Sequence, residues 1–100
     1  MAIEIDWSPE AEETFDQNIK YLQEEWTERE AKIFVQQTQK VIRSLEHYPE
    51  SYPQGNKNKK YRKARLNKYI VLFYRYYKTK GVITLITFWN VKQNPVKLKY

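Results

Sequence analysis

Residues 57–99 read KNKKYRKARLNKYIVLFYRYYKTKGVITLITFWNVKQNPVKLK, and the reading of this stretch decides the fold. It holds 13 Lys and Arg and no acid, while all 12 Asp and Glu fall in residues 1–50 beside only five cations. The two halves therefore carry formal charges of −7 and +13. A field this one-sided is not cancelled locally, so the segment attracts a polyanion or an acidic partner. Its β-branched and aromatic runs predict three strands, Tyr61–Leu66, Tyr69–Lys78 and Val82–Val91. Asn67-Lys68 predicts a tight two-residue hairpin, because Asn tolerates positive φ, and Thr79-Lys80-Gly81 predicts the next turn. The middle run is apolar or aromatic on both faces, with Val71 and Phe73 on one and Ile70, Leu72, Tyr74 and Tyr76 on the other. That is the pattern of a central strand. Pro95 stops the last strand and leaves Val96–Tyr100 as a short tail.

Working outward toward the N-terminus, Tyr48 to Asn58 contains Pro49, Pro53 and Gly55 and reads as a loop. Before it lie two helical patterns. Ser8-Pro9 starts the first, with a side-chain acceptor for free N–H groups and a proline where no N–H is needed. Glu10, Glu12 and Glu13 stand where the helix dipole favours negative charge. Its apolar stripe is Ala11, Phe15, Ile19, Leu22 and Trp26. Thr27-Glu28-Arg29-Glu30 has capping-box spacing and starts the second helix, whose stripe is Ala31, Phe34, Val35, Val41, Ile42 and Leu45. So short a join makes the two helices double back as a hairpin. Ile3, Ile5 and Trp7 alternate with Glu4 and Asp6, the period of a short half-buried strand. The layout is β-α-α-β-β-β, an α+β chain in two layers with the helical hairpin on one face of a mainly antiparallel sheet. The other face carries Phe73, Arg75 and Tyr77, a mixture of rings and cations suited to phosphates, bases or a docking protein segment.

One hundred residues suit a single domain over 1–100. With 41% hydrophobic and 16% aromatic residues the chain folds and is not a disordered basic tail. It has no cysteine, which excludes disulfides and thiolate zinc sites and fits a reducing compartment. The opening MAIEIDWSPEAEE turns acidic at once and lacks the basic-then-apolar pattern of a signal peptide, and the apolar runs are too short to span a bilayer, so a soluble cytoplasmic protein is expected. One histidine and two glycines exclude multi-histidine metal sites and glycine-rich nucleotide loops, so no metal and no cofactor is expected. His47 closes the second helix, where a partly cationic imidazole offsets the dipole. The pair Glu24-Glu25 reads as a solvated helix face.

Arg, Lys and Tyr on a sheet can still cleave RNA without a metal, because the 2′-OH is its own nucleophile and the protein need only orient it and stabilise charge. Arg65, Lys92 and Arg75 are the candidate charge stabilisers, and Lys60, Arg62, Lys63, Arg65 and Lys92 the candidate nucleic-acid or target contacts. A tyrosine serves as acid or base only if cations lower its usual pKa of about 10. Tyr69, Tyr74 and Tyr76 also read as strand packing, and the cations equally as a binding surface without chemistry.

Four segments, WSPEAEE at 7–13, LEHYPESYP at 45–53, KYRKARLNKYIVLFYRY at 60–76 and ITFWNVKQNPVKL at 86–98, together resemble a toxin of the RelE/ParE superfamily from a type II toxin–antitoxin pair. Tyr61-Arg62, Tyr74 and Lys92-Gln93-Asn94-Pro95 match the family's Tyr-Arg at the sheet opening, its deep central-strand Tyr and its Arg-Gln-Asp/Asn-Pro-like close, with Lys92 where Arg is usual. The resemblance implies a plasmid-stabilisation or growth-control toxin that inhibits growth until a cognate antitoxin binds. Its target is then ribosome-bound mRNA, cut without a metal as by RelE-like members, or DNA gyrase, as for ParE-like members. In the ribosome-dependent nucleases an Arg follows the Tyr opening the central strand, whereas here Ile70 follows Tyr69. The antitoxin is expected to be acidic with an apolar stripe, and to use Phe73, Arg75 and Tyr77. A non-toxic basic RNA-binding or interaction module is the alternative.

Overall fold

The computed structural model describes residues 3–55 and 57–92. Ser8 sets the first junction. Its backbone is extended, and its Oγ accepts from the Ala11 N–H at 3.0 Å while donating to the Ile86 carbonyl at 2.8 Å. It therefore ends strand β1 (Glu4–Trp7), caps helix α1 (Pro9–Glu25) and pins both to the sheet. Thr27 repeats the device for helix α2 (Glu28–His47), accepting from the Glu30 N–H. Three strands follow, β2 (Arg62–Arg65), β3 (Ile70–Tyr77) and β4 (Val82–Asn90). They form a four-stranded sheet in the order β1-β4-β3-β2, with β1 parallel to β4 and the other pairs antiparallel. The expected order of elements and two-layer α+β architecture are what the chain adopts.

The helices cover the face that presents Ile70, Leu72 and Tyr74 of β3 with Ile83, Leu85 and Phe88 of β4. An aromatic cluster fills the middle, where the Phe15 ring lies 5.2 Å from Phe88, 5.3 Å from Phe34 and 5.3 Å from Trp7. Two features of the sheet depart from the sequence reading. The β3–β4 register slips between Phe73, opposite Thr87, and Tyr74, opposite Leu85, so Ile86 is an extra residue in β4. Inward positions along β4 consequently run Ile83, Leu85, then Phe88 and Asn90. The polar groups freed there bind α1: Phe88 N–H donates to Thr14 Oγ1 at 2.9 Å, and buried Asn18 donates to the Phe88 carbonyl at 3.0 Å. The amide of Asn90 in turn donates to Asn18 Oδ1 at 3.0 Å.

The second departure is the turn after β2. It spans the four residues between Arg65 and Ile70, and Asn67 closes it through its side-chain carbonyl, which accepts from the Tyr69 and Ile70 N–H groups. The following turn is as expected, with Gly81 at φ 65°, a left-handed value that favours glycine. Trp26, read as the last residue of the α1 stripe, is instead its C-cap and stays 46% exposed.

Candidate functional site

Alternation along β2 sends its cations to opposite sides. Lys63 and Arg65 pair with Phe73 and Val71 on the face away from the helices, whereas Arg62 pairs with Tyr74 on the helix side. The cations of β2 thus do not converge on one surface. Lys63 and Arg65, with Val71, Tyr52 and Pro53, line a hollow of about 430 Å³. Two cations and a phenol around such a hollow suit a phosphate or a carboxylate.

Arg62 shapes that hollow from behind. Its Nη1 donates to the Tyr52 carbonyl at 2.7 Å and the Glu50 carbonyl at 3.2 Å, and Nη2 lies 3.8 Å from the Glu50 carboxylate. Lys78 Nζ stands 3.7 Å from the other Glu50 oxygen. Tyr74, wholly buried, donates its hydroxyl to the Pro49 carbonyl at 2.8 Å. Burial holds the Tyr74 phenol well above the ordinary tyrosine range, against the opposing pull of the nearby Arg62 charge. It stays protonated at neutral pH and is no base there. The same loop is stitched to the sheet edge by Lys63 N–H to the Pro53 carbonyl at 2.9 Å and Gly55 N–H to the Tyr61 carbonyl at 2.7 Å. Arg62, expected to contact a target, is committed to holding the loop that supplies Tyr52 and Pro53.

The remaining candidates are dispersed. Arg75 lies on the same face as Arg65 but four residues further along β3 than Arg65's partner Val71, about 13 Å by strand geometry. Its guanidinium stacks 4.5 Å from the Tyr77 ring, which also has Lys80 Nζ at 5.7 Å. Lys92 is at the opposite end of the sheet, with Nζ 5.3 Å from the Tyr69 ring. Lys60 is exposed ahead of β2. Phe73, expected to meet a partner, is only 2% exposed, so its ring is packed within the chain. Gln93, Asn94 and Pro95, and the tail Val96–Tyr100, lie outside the described residues. Among the described residues no three His, Asp or Glu side chains are grouped to hold a metal, and no helix is long and apolar enough to cross a membrane.

The family model for the ParE toxin of the type II toxin-antitoxin system parDE matches residues 5–95. The chain belongs to the ParE toxin family. It is accordingly a member of the wider RelE/ParE superfamily and the toxin component of a type II pair, with an antitoxin as its partner. Solved ParE-type structures share the fold. The chromosomal ParDE toxin–antitoxin system from P. aeruginosa superposes with TM-score 0.71 at 12% identity, over 88% of this chain and 95% of that one. The YoeB/ParE toxin from Agrobacterium tumefaciens gives 0.66 at 14% identity, over 88% and 98%. No curated protein matches in sequence. In this ParE-family chain, Tyr52 is the residue that sequence reasoning left out of the candidate site. Its signal was faint, a tyrosine between two prolines in the loop before the basic segment.

Proposed function

We propose that this toxin arrests growth by inhibiting DNA gyrase and is neutralised by an acidic antitoxin. The observation that carries the proposal is the dispersal of its cations: Arg65 and Lys92 lie toward one end of the sheet, and Arg75 stands about 13 Å from Arg65 toward the other. Three charges so placed form a broad contact surface for a macromolecule; one phosphorane needs them within hydrogen-bond reach of a single centre. The deep tyrosine adds no proton-transfer group, since its hydroxyl is given to the Pro49 carbonyl and its proton is held tightly. The match to the ParE branch of the superfamily supports the same reading.

A second reading rests on the hollow. Tyr52, Lys63 and Arg65 share it and provide a phenol and two cations for RNA cleavage without a metal. One experiment separates the two. The chain is expressed from an inducible promoter, and growth, plasmid supercoiling and message integrity by primer extension are followed together. Gyrase inhibition predicts growth arrest, relaxed plasmid and intact messages, all prevented by co-expressing the antitoxin. Cut messages with normal supercoiling, abolished by Lys63→Ala with Arg65→Ala, establish the nuclease reading. Unimpaired growth refutes toxicity altogether.

A further inference from the structure

At the tip of the helical hairpin, away from the hollow, Trp26 stands half exposed with its indole 5.7 Å from the Tyr69 ring at 49°. The helix cap does not require this ring. What α1 uses at its C-cap is the Trp26 backbone N–H, bonded to the Leu22 carbonyl at 3.0 Å, and any residue but proline supplies that. Indole and phenol form one side of a cleft of about 340 Å³ lined also by Leu22, Glu30, Gln37 and Asn67. That volume lies in the range of small-molecule sites and accepts a flat heterocycle.

Positive charge is gathered beside it. Lys68 Nζ is 5.9 Å and Lys92 Nζ 5.3 Å from the centroid of the Tyr69 ring. Arg65 joins them, donating from Nη1 to the carbonyls of Asn67 at 3.4 Å and Lys68 at 3.1 Å. Lys63 follows two residues back on the same face of β2. Cations thus run from the cleft, around the end of the sheet, to its open face. We propose that the cleft holds one base of a single-stranded nucleic acid, stacked on Trp26, with the adjoining phosphates on Lys68 and Lys92.

Three points select this occupant. An apolar peptide anchor would strip water from the Glu30 carboxylate and the Gln37 amide N–H groups without offering partners, whereas a base edge carries both donors and acceptors. The Glu30 carboxylate accepts from an exocyclic amino group, which favours adenine or cytosine over thymine or uracil. A duplex keeps its bases paired and stacked and cannot present one to the indole. The proposal does not depend on which enzyme the toxin inhibits.

The test is fluorescence anisotropy of labelled short single strands on the full chain, with adenine- and thymine-only sequences compared. Binding should favour adenine, weaken about tenfold in Trp26→Ala and largely survive in Trp26→Phe, which keeps a stacking face. Lys68→Gln with Lys92→Gln should lower the salt slope of log K by about 1.4. Circular dichroism checks that each variant is folded. The proposal is overturned if folded Trp26→Ala binds like the parent, if the duplex competes as well as the strand, or if free AMP competes as well as the strand. It is also overturned if Trp26→Ala costs antitoxin binding while strand binding is untouched, which would assign the cleft to a protein partner.

Discussion

Tyr74 and Arg62 show how one residue acts through what surrounds it. Tyr74 was legible as strand packing, because it falls in phase with Ile70 and Leu72. That Arg62 would turn from the open face to the loop was not legible: β2 alternates, and the carbonyls that receive the guanidinium come from Glu50 and Tyr52, ten residues and more upstream. Tyr74→Phe removes the bond to Pro49 and should cost about 1 kcal/mol at pH 7 in urea unfolding. The variant also has a pH signature. Burial raises the folded-state pKa of Tyr74 above the unfolded value of about 10. Below pH 10 neither state is ionised and the full stability is present; above it the unfolded chain releases a proton that the folded chain keeps. Stability should then fall by up to about 1.4 kcal/mol per pH unit from this residue alone. Alkaline unfolding curves of Tyr74→Phe should be shallower by that amount, and equal slopes would remove Tyr74 as the cause.

Phe73 and Tyr77 were expected to serve an antitoxin together, yet only Tyr77 keeps accessible surface, with Arg75 stacked against it. Tyr77→Ala should therefore leave the antitoxin's association rate within about twofold and speed dissociation tenfold or more, as an anchor ring does. Surface plasmon resonance measures both. Phe73→Ala should lower stability first, about 3 kcal/mol for a buried ring.

Among the elements, the helices were readable because apolar residues recur at 3.6-residue spacing and Ser8 and Thr27 stand where caps are needed. The irregularity in β4 was not readable. VITLITFWN has apolar residues on both faces, so its pattern is silent about which residue is surplus. Only the partners reveal it: Ser8 takes the Ile86 carbonyl, Thr14 the Phe88 N–H and Asn18 the Phe88 carbonyl. Polar side chains on an otherwise apolar helix face are thus what fixes α1 against the sheet. Ser8→Ala loses both a cap and a bond to β4 and should cost about 2 kcal/mol, against about 1 for Thr27→Ala, which loses a cap alone. Denaturant midpoints of the two variants test the order; equal losses would mean the Ser8–Ile86 bond contributes nothing.

At the scale of the molecule, charge is divided between layers. Most acidic side chains line the helices, and 13 of the 18 Lys and Arg occupy residues 57–99, which supply the three later strands and their turns. That division was plain from the sequence, but its spread over both faces and both ends of the sheet appears only once strand alternation and the β2–β3 turn are known. An acidic antitoxin should therefore be steered by a broad positive field: its association rate should drop steeply with salt, while its dissociation rate changes little. Stopped-flow measurements at several ionic strengths would show this, and a flat association rate would contradict it.

The gyrase reading meets its most direct test in a purified supercoiling reaction containing relaxed plasmid, gyrase, ATP and this toxin, with and without the antitoxin. The account predicts that supercoiling stops as toxin is added and resumes when the antitoxin binds it. Full supercoiling at a large excess of folded toxin would contradict it.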